Sequence, residues 1–139
     1  MVTRRILVQA GLKTGLGVLC ASLAPFAEAE ANTVQKVFQQ DLPAVPLDNW
    51  TVTAVEVDYP PGAASAPHRH PGFVLAYILE GKVRSGLRGQ PERIYAAGEM
   101  FYEPPHSEHL VSANASSERR ARLLALIFAE KGSTLSIPL

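Results

Sequence analysis

The chain has 139 residues, 47% apolar and 19% charged, which suits one small globular domain with a modest core. Lys plus Arg and Asp plus Glu number 13 each, so no basic excess points to nucleic acid. A single cysteine, Cys20, excludes an intrachain disulfide framework and a cysteine-rich zinc site.

The first segment differs in character from the rest. Arg4 and Arg5 precede a mostly apolar run from Ile6 to Ala24. Ala27-Glu28-Ala29 and Ala29-Glu30-Ala31 each offer the small-x-small pattern of a signal-peptidase site. The uncharged stretch Thr14 to Ala27 is shorter than the ~20 residues that span a bilayer. Residues 1–31 are therefore expected to be a cleavable export signal, cut near residue 29 or 31, with no stable membrane anchor. The alternative is an amphipathic helix packed on the domain. Thr3-Arg4-Arg5-Ile6-Leu7-Val8 resembles a twin-arginine export signal, which implies a periplasmic destination.

Residues 32–49 read as an N-terminal arm, helical or extended, and 50–139 as a β domain. Val55, Val57 and Tyr59 alternate with Ala54, Glu56 and Asp58 until Pro60-Pro61-Gly62 ends the run. Phe73 to Leu79 is continuously apolar and closed by Glu80-Gly81, as in a strand buried on both faces. Val83 to Leu87 and Arg93 to Tyr95 flank the hairpin turn Arg88-Gly89-Gln90-Pro91. Met100 to Glu103, Leu110 to Ser112 and Leu123 to Ala129 complete the strands. This succession predicts an all-β fold, a small antiparallel barrel or sandwich.

The four histidines fall in two clusters, His68-Arg69-His70 and His106-Ser107-Glu108-His109. Neutral imidazole is the commonest transition-metal ligand. Side chains two apart on a strand share a face, so His68 and His70 point together and Arg69 points away. A metal site is expected; ordinary loop histidines are the alternative.

The run Gly62-x5-His68-x-His70 followed by Gly81 resembles the first motif of cupins, G-x5-HxH-x(3,4)-E-x6-G. Gly98-x5-Pro104 followed by His109 resembles the second, G-x5-P-x-G-x2-H-x3-N. The sixteen residues between Gly81 and Gly98 suit the short spacer of small single-domain bacterial cupins, the quercetin-dioxygenase-like kind included. The resemblance implies a jelly-roll barrel, an antiparallel double-stranded β-helix. It also implies a divalent transition metal, iron first, with manganese, nickel, copper and zinc open. Three ligands carry over residue by residue: His68, His70 and His109.

Three positions depart from the pattern. Val74 stands where the motif has its ligating glutamate, His106 replaces the glycine of the second motif, and the final asparagine is displaced to Asn114. Glu103 is a candidate to replace the lost carboxylate, with a solvated or arginine-paired side chain as the alternative. Glu108 is either a partner orienting His109 or an exposed loop carboxylate. His106 is a fourth ligand, a general base at the cavity mouth or a loop residue. Val74, Ala76 and Ile78 share one face by alternation and are expected to line an apolar pocket.

The leading functional expectation is a dioxygenase-type oxidoreductase acting on a small, partly apolar or chelating molecule. The alternatives are a non-catalytic metal- or ligand-binding or sensing module and a structural barrel with a vestigial site. A homodimer is expected from the small core and the resemblance. For the export segment, Arg4→Lys/Arg5→Lys is expected to leave the protein in the cytoplasm. Cell fractionation checks this, and normal export of the double variant would refute the twin-arginine reading.

Overall fold

Alternating β-branched and polar residues build the first long strand, β1 (Trp50–Tyr59), which turns Val55, Val57 and Tyr59 toward the interior. The computed structural model describes residues 32–139, so the export-signal reading and its cleavage sites lie outside the described residues. Residues 34–139 form one compact unit. The arm up to Asn49 has no regular secondary structure, and Val34 is 99% exposed. Nine strands follow β1: β2 (Ala64–Ser65), β3 (His68–Arg69), β4 (Phe73–Glu80), β5 (Lys82–Leu87), β6 (Arg93–Ala96), β7 (Met100–Glu103), β8 (Glu108–Asn114), β9 (Ala121–Glu130) and β10 (Ile137–Pro138). No helix occurs among the described residues, and so none crosses a membrane.

All pairings are antiparallel. One sheet has the order β1-β9-β4-β7; the other runs β10-β3-β8-β5-β6, with β2 also paired to β8. The inner faces supply a core that contains Val74, Ile78 and Val83, each essentially fully buried. Burying a side chain of this size contributes about 1.5–3 kcal/mol. The predicted strands are present, and β4 and β9 are strands as expected from their turn-bounded lengths. The two-residue strands β2 and β10 are absent from the predicted elements, and the extended segment invoked for His68 and His70 is only the two-residue β3. All three are too short to show periodicity and are set by pairing with β8 or with each other.

Two local devices shape the inner wall. In β8 the pairing steps from Val111↔Gly86 to His109↔Leu87, so Leu110 is an extra residue on that strand. The bulge puts His109 and Ser112, three apart, on the same buried face. The second device is the corner between the sheets. Gly81 alone separates β4 from β5, and its φ of 71° lies in the left-handed region.

A Cβ at Gly81 would also overlap the Arg120 carbonyl oxygen, whereas one at Gly62, with the same φ of 71°, would meet nothing. The two substitutions therefore separate conformational strain from overlap. Gly62→Ala is expected to cost about 1 kcal/mol from the left-handed backbone alone. Gly81→Ala is expected to cost about 3 kcal/mol, since overpacking adds to it. Urea denaturation of both variants checks this; equal losses would contradict the packing argument.

Candidate metal centre

β3 and β8 pair in a register that sets His68 directly opposite His109. The His68 ring centroid lies 5.0 Å from that of His70 and 5.2 Å from that of His109. The two histidines of the first cluster therefore turn to one side, toward the third. Arg69 points outward and is exposed, as alternation requires.

The hydrogen bonds settle which ring nitrogens face the site. His68 Nδ1 lies 2.8 Å from the Ala66 carbonyl and His70 Nδ1 lies 2.5 Å from the Leu135 carbonyl. A carbonyl can only accept, so each Nδ1 carries a proton, and in the neutral ring each Nε2 then keeps its lone pair. His109 Nε2 lies 2.9 Å from Ser85 Oγ, which leaves Nδ1 turned to the interior. Each ring is thus held by a partner on its far side, as metal-ligating histidines usually are.

Glu103 closes the group. It ends β7 opposite Val74 on β4, so a carboxylate absent at position 74 is present on the same rung, one strand across the sheet. Its Oε1 lies 3.1 Å from His109 Nδ1 and its Oε2 3.9 Å from His70 Nε2. Glu103 is 4% exposed and His109 2%. No arginine reaches Glu103, so neither a solvated nor an arginine-paired side chain describes it. Glu103 Oε2 and His109 Nδ1 are both buried without a hydrogen-bond partner. An orphaned carboxylate oxygen beside imidazole lone pairs is costly unless a cation or a proton joins them.

No cluster of three or more His, Cys, Asp or Glu among the described residues is drawn in at coordination distance. The donor atoms converge, with His109 Nδ1 3.1 Å and His70 Nε2 3.9 Å from the two oxygens of Glu103. The donor set nevertheless suits a divalent ion, since three imidazoles and a carboxylate match the preferences of first-row metals.

The other candidates are placed as follows. His106 does not face this group. It borders a separate hollow of about 330 Å3 with Trp50, Pro71, Pro105 and Glu130, which removes it as a fourth ligand or a base at this cavity. Its φ of 59° keeps the left-handed backbone expected of the glycine it replaces, and its N–H donates to the His70 carbonyl. Glu108 pairs with Arg88 at the surface and does not orient His109. Ala76 lines the main cavity, while Val74 and Ile78 are buried in the core and do not line it. Asn114 is structural: its amide donates to the carbonyls of Tyr59, Pro60 and Arg119, and its Oδ1 accepts from the Ser116 N–H.

The cavity has a volume of about 460 Å3 and reaches from the histidines across the inner faces of both sheets. Val55, Val57, Phe101, Leu123 and Ile127 are among its apolar lining, which includes no lysine or arginine. Ser85, Tyr59, Ser65 and Ser112 were missed from sequence. A polar side chain in phase with apolar neighbours, as Ser85 is with Val83 and Leu87, was the available signal.

Burial, followed by the charges of His109 and His70, holds the His68 imidazole below its ordinary pKa of 6.5. The unfolded chain then binds more protons than the folded one just below pH 6.5, so stability rises with pH across that window. Metal-free protein is expected to lose stability as the pH falls from 6.5 through the lower folded value, and His68→Gln to flatten that slope. Urea midpoints in a chelating buffer across this range check it. An unchanged slope in His68→Gln would contradict it.

Comparison with known proteins agrees with this architecture. A germin-like protein (subfamily 2 member 2) of Arabidopsis thaliana is 29% identical over 76 residues, covering 51% of this chain and 35% of that protein. The chain thus spans about a third of the curated relative it matches. The DMSP lyase DddQ of Ruegeria pomeroyi superposes with a TM-score of 0.53 at 19% identity, over 76% of this chain and 59% of that one. A Bacillus subtilis oxalate decarboxylase with Mn(II) centres gives 0.53 at 24% identity, over 64% and 24%. A cupin-like protein of Thermotoga maritima gives 0.52 at 20% identity, over 76% and 89%. These similarities show the fold. The family model for the cupin domain matches residues 55–127, more than half of the chain, and the protein belongs to the cupin family.

Proposed function

We propose that this cupin holds a divalent transition metal through His68, His70, His109 and Glu103, and that the centre serves dioxygenase-type oxidoreductase chemistry on a small, largely apolar molecule. The observation that carries the metal reading is the set of inward lone pairs: two Nε2 atoms freed by carbonyl-bound Nδ1 groups, and two orphaned buried atoms on Glu103 and His109. The Mn(II) centres of the similar oxalate decarboxylase support a divalent ion in general. Iron is the first choice, with manganese, nickel, copper and zinc compatible with the same donors.

A bound divalent ion would supply Lewis acidity and a meeting point for an oxygen-donor substrate and O2. The chain's own residues do the rest. Ser85 and the carbonyls of Ala66 and Leu135 fix the three imidazole planes. Glu103 lowers the net charge of the centre by one relative to a three-histidine site, which weakens the pull on an anionic substrate. Phe101, Leu123 and Ile127 form a water-poor wall on which an apolar or aromatic body can pack. The second reading, a binding or sensing module, shares this geometry and differs only in lacking turnover.

Metal analysis of purified protein tests the centre. About one ion per chain is expected, with Glu103→Gln and His70→Ala each weakening binding. Losing a supporting hydrogen bond alone typically costs 10–100-fold in metal affinity, so loss of a ligand is expected to cost at least about that much. Free metal at a hundredfold excess over its dissociation constant should stabilise the fold by about 2.7 kcal/mol, reversibly removed by chelator. A chain that purifies without metal, takes none up and is indifferent to chelator would leave Glu103 and His109 sharing a proton, and the proposal would fail. O2 uptake with catechols, flavonols, diketones and thiols then separates enzyme from binder.

A further inference from the structure

Beyond the histidines, a second polar group faces the same cavity. Tyr59 Oη lies 2.7 Å from Ser65 Oγ and 2.8 Å from Ser112 Oγ, so three hydroxyls from β1, β2 and β8 form one chain. Tyr59 and Ser112 are buried, Ser65 half-buried, and all three line the cavity. The walls around them are apolar, so this cluster is a polar island for which the metal centre has no use.

The pairing places the island beside the histidines. Ser65 on β2 and Ser85 on β5 both sit opposite Ser112 on β8, making a rung of three serines across the second sheet. One member, Ser85, holds His109; the other two hold Tyr59. The next inward-facing rung along β8 is the His68–His109 pair.

Counting protons gives the chemistry. Three hydroxyls carry three donor protons, and two hydrogen bonds consume two of them. Whichever way the chain is oriented, one donor is left over. No acceptor among the described residues takes it. A donor in an apolar wall costs free energy until something in the cavity accepts from it. With no lysine or arginine on the wall, a single hydroxyl proton suits a neutral oxygen better than a carboxylate or phosphate, whose burial needs a countercharge.

We infer that Tyr59, Ser65 and Ser112 form a ligand subsite that donates one hydrogen bond to a neutral oxygen of a small apolar-bodied molecule, such as a ketone, ester or hydroxyl oxygen. The subsite goes beyond the metal reading and shares only the cavity with it. Its test is therefore run on the full chain after chelator treatment, where the outcome does not depend on a metal.

The probes are 2-adamantanone and its near-isostere 2-methyleneadamantane, a ketone and an alkene on one rigid apolar cage. Both are titrated by NMR against the wild type and against Tyr59→Phe/Ser65→Ala/Ser112→Ala, which deletes all three hydroxyls. Losing one hydrogen bond to a neutral acceptor predicts about a tenfold drop in ketone affinity, with alkene affinity unchanged or raised. If the triple variant fails to fold, the carbonyl 13C shift of 2-adamantanone bound to the metal-free wild type carries the test: a downfield shift from its value in alkane solvent is expected, and an alkane-like value would overturn the subsite. A ketone-to-alkene ratio equal within about twofold in wild type and variant would overturn the subsite. So would failure of the ketone to bind the metal-free wild type. Loss of metal binding in a separate assay would sink the metal proposal and leave this one standing.

Discussion

The contact between Glu103 and His109, 3.1 Å apart and almost wholly removed from solvent, sets the terms for the interior of this barrel. A carboxylate in such a place needs a positive partner, and no lysine or arginine lies within reach. The surrounding groups are arranged as if to supply lone pairs to a common cation. Carbonyls take the Nδ1 protons of His68 and His70, and a serine occupies the far side of His109. Without a cation or a shared proton the same arrangement is a collection of acceptors facing one another. A bound cation would join all of them at once, which is the physical basis for the proposed metal.

That arrangement depends on register more than on any single loop. The rung His68↔His109 fixes two of the rings, and the rung Val74↔Glu103 brings the carboxylate across from the neighbouring strand. The extra residue Leu110 in β8 shifts the phase of that strand, so a serine rung follows the histidine rung on the same wall. A slip of one residue in β8 would turn His109 and Ser112 to the outside and break both rungs, because side chains alternate with a period of two. The bulge and the corner at Gly81 restrict that freedom, since each is tied to one position in the chain.

Much of this was legible in the sequence. Alternation identified β1, length and turn residues identified β4 and β9, and paired histidines at motif spacing pointed to the three rings that the structure brings together. What stayed hidden depended on cross-strand pairing. Glu103 read more readily as a solvated or arginine-paired residue because its inward turn comes from lying opposite Val74, and that pairing has no local signature. His106 looked like a ligand by residue type, yet the left-handed backbone inherited from a glycine position carries it toward another hollow. Val74 and Ile78 share the inner face of Ala76, but the core covers them and leaves only Ala76 at the cavity. Phase predicts which face a residue takes and says nothing of what covers that face.

The bond from His70 to the Leu135 carbonyl spans 65 positions of chain and joins the residue just after β3 to a segment just before β10. Fraying of this segment would release the His70 ring while the bonds from His68 to the Ala66 carbonyl and from His109 to Ser85 stay in place. Exchange of an ion in the proposed centre would then run through local opening at position 135 and not through unfolding of the barrel.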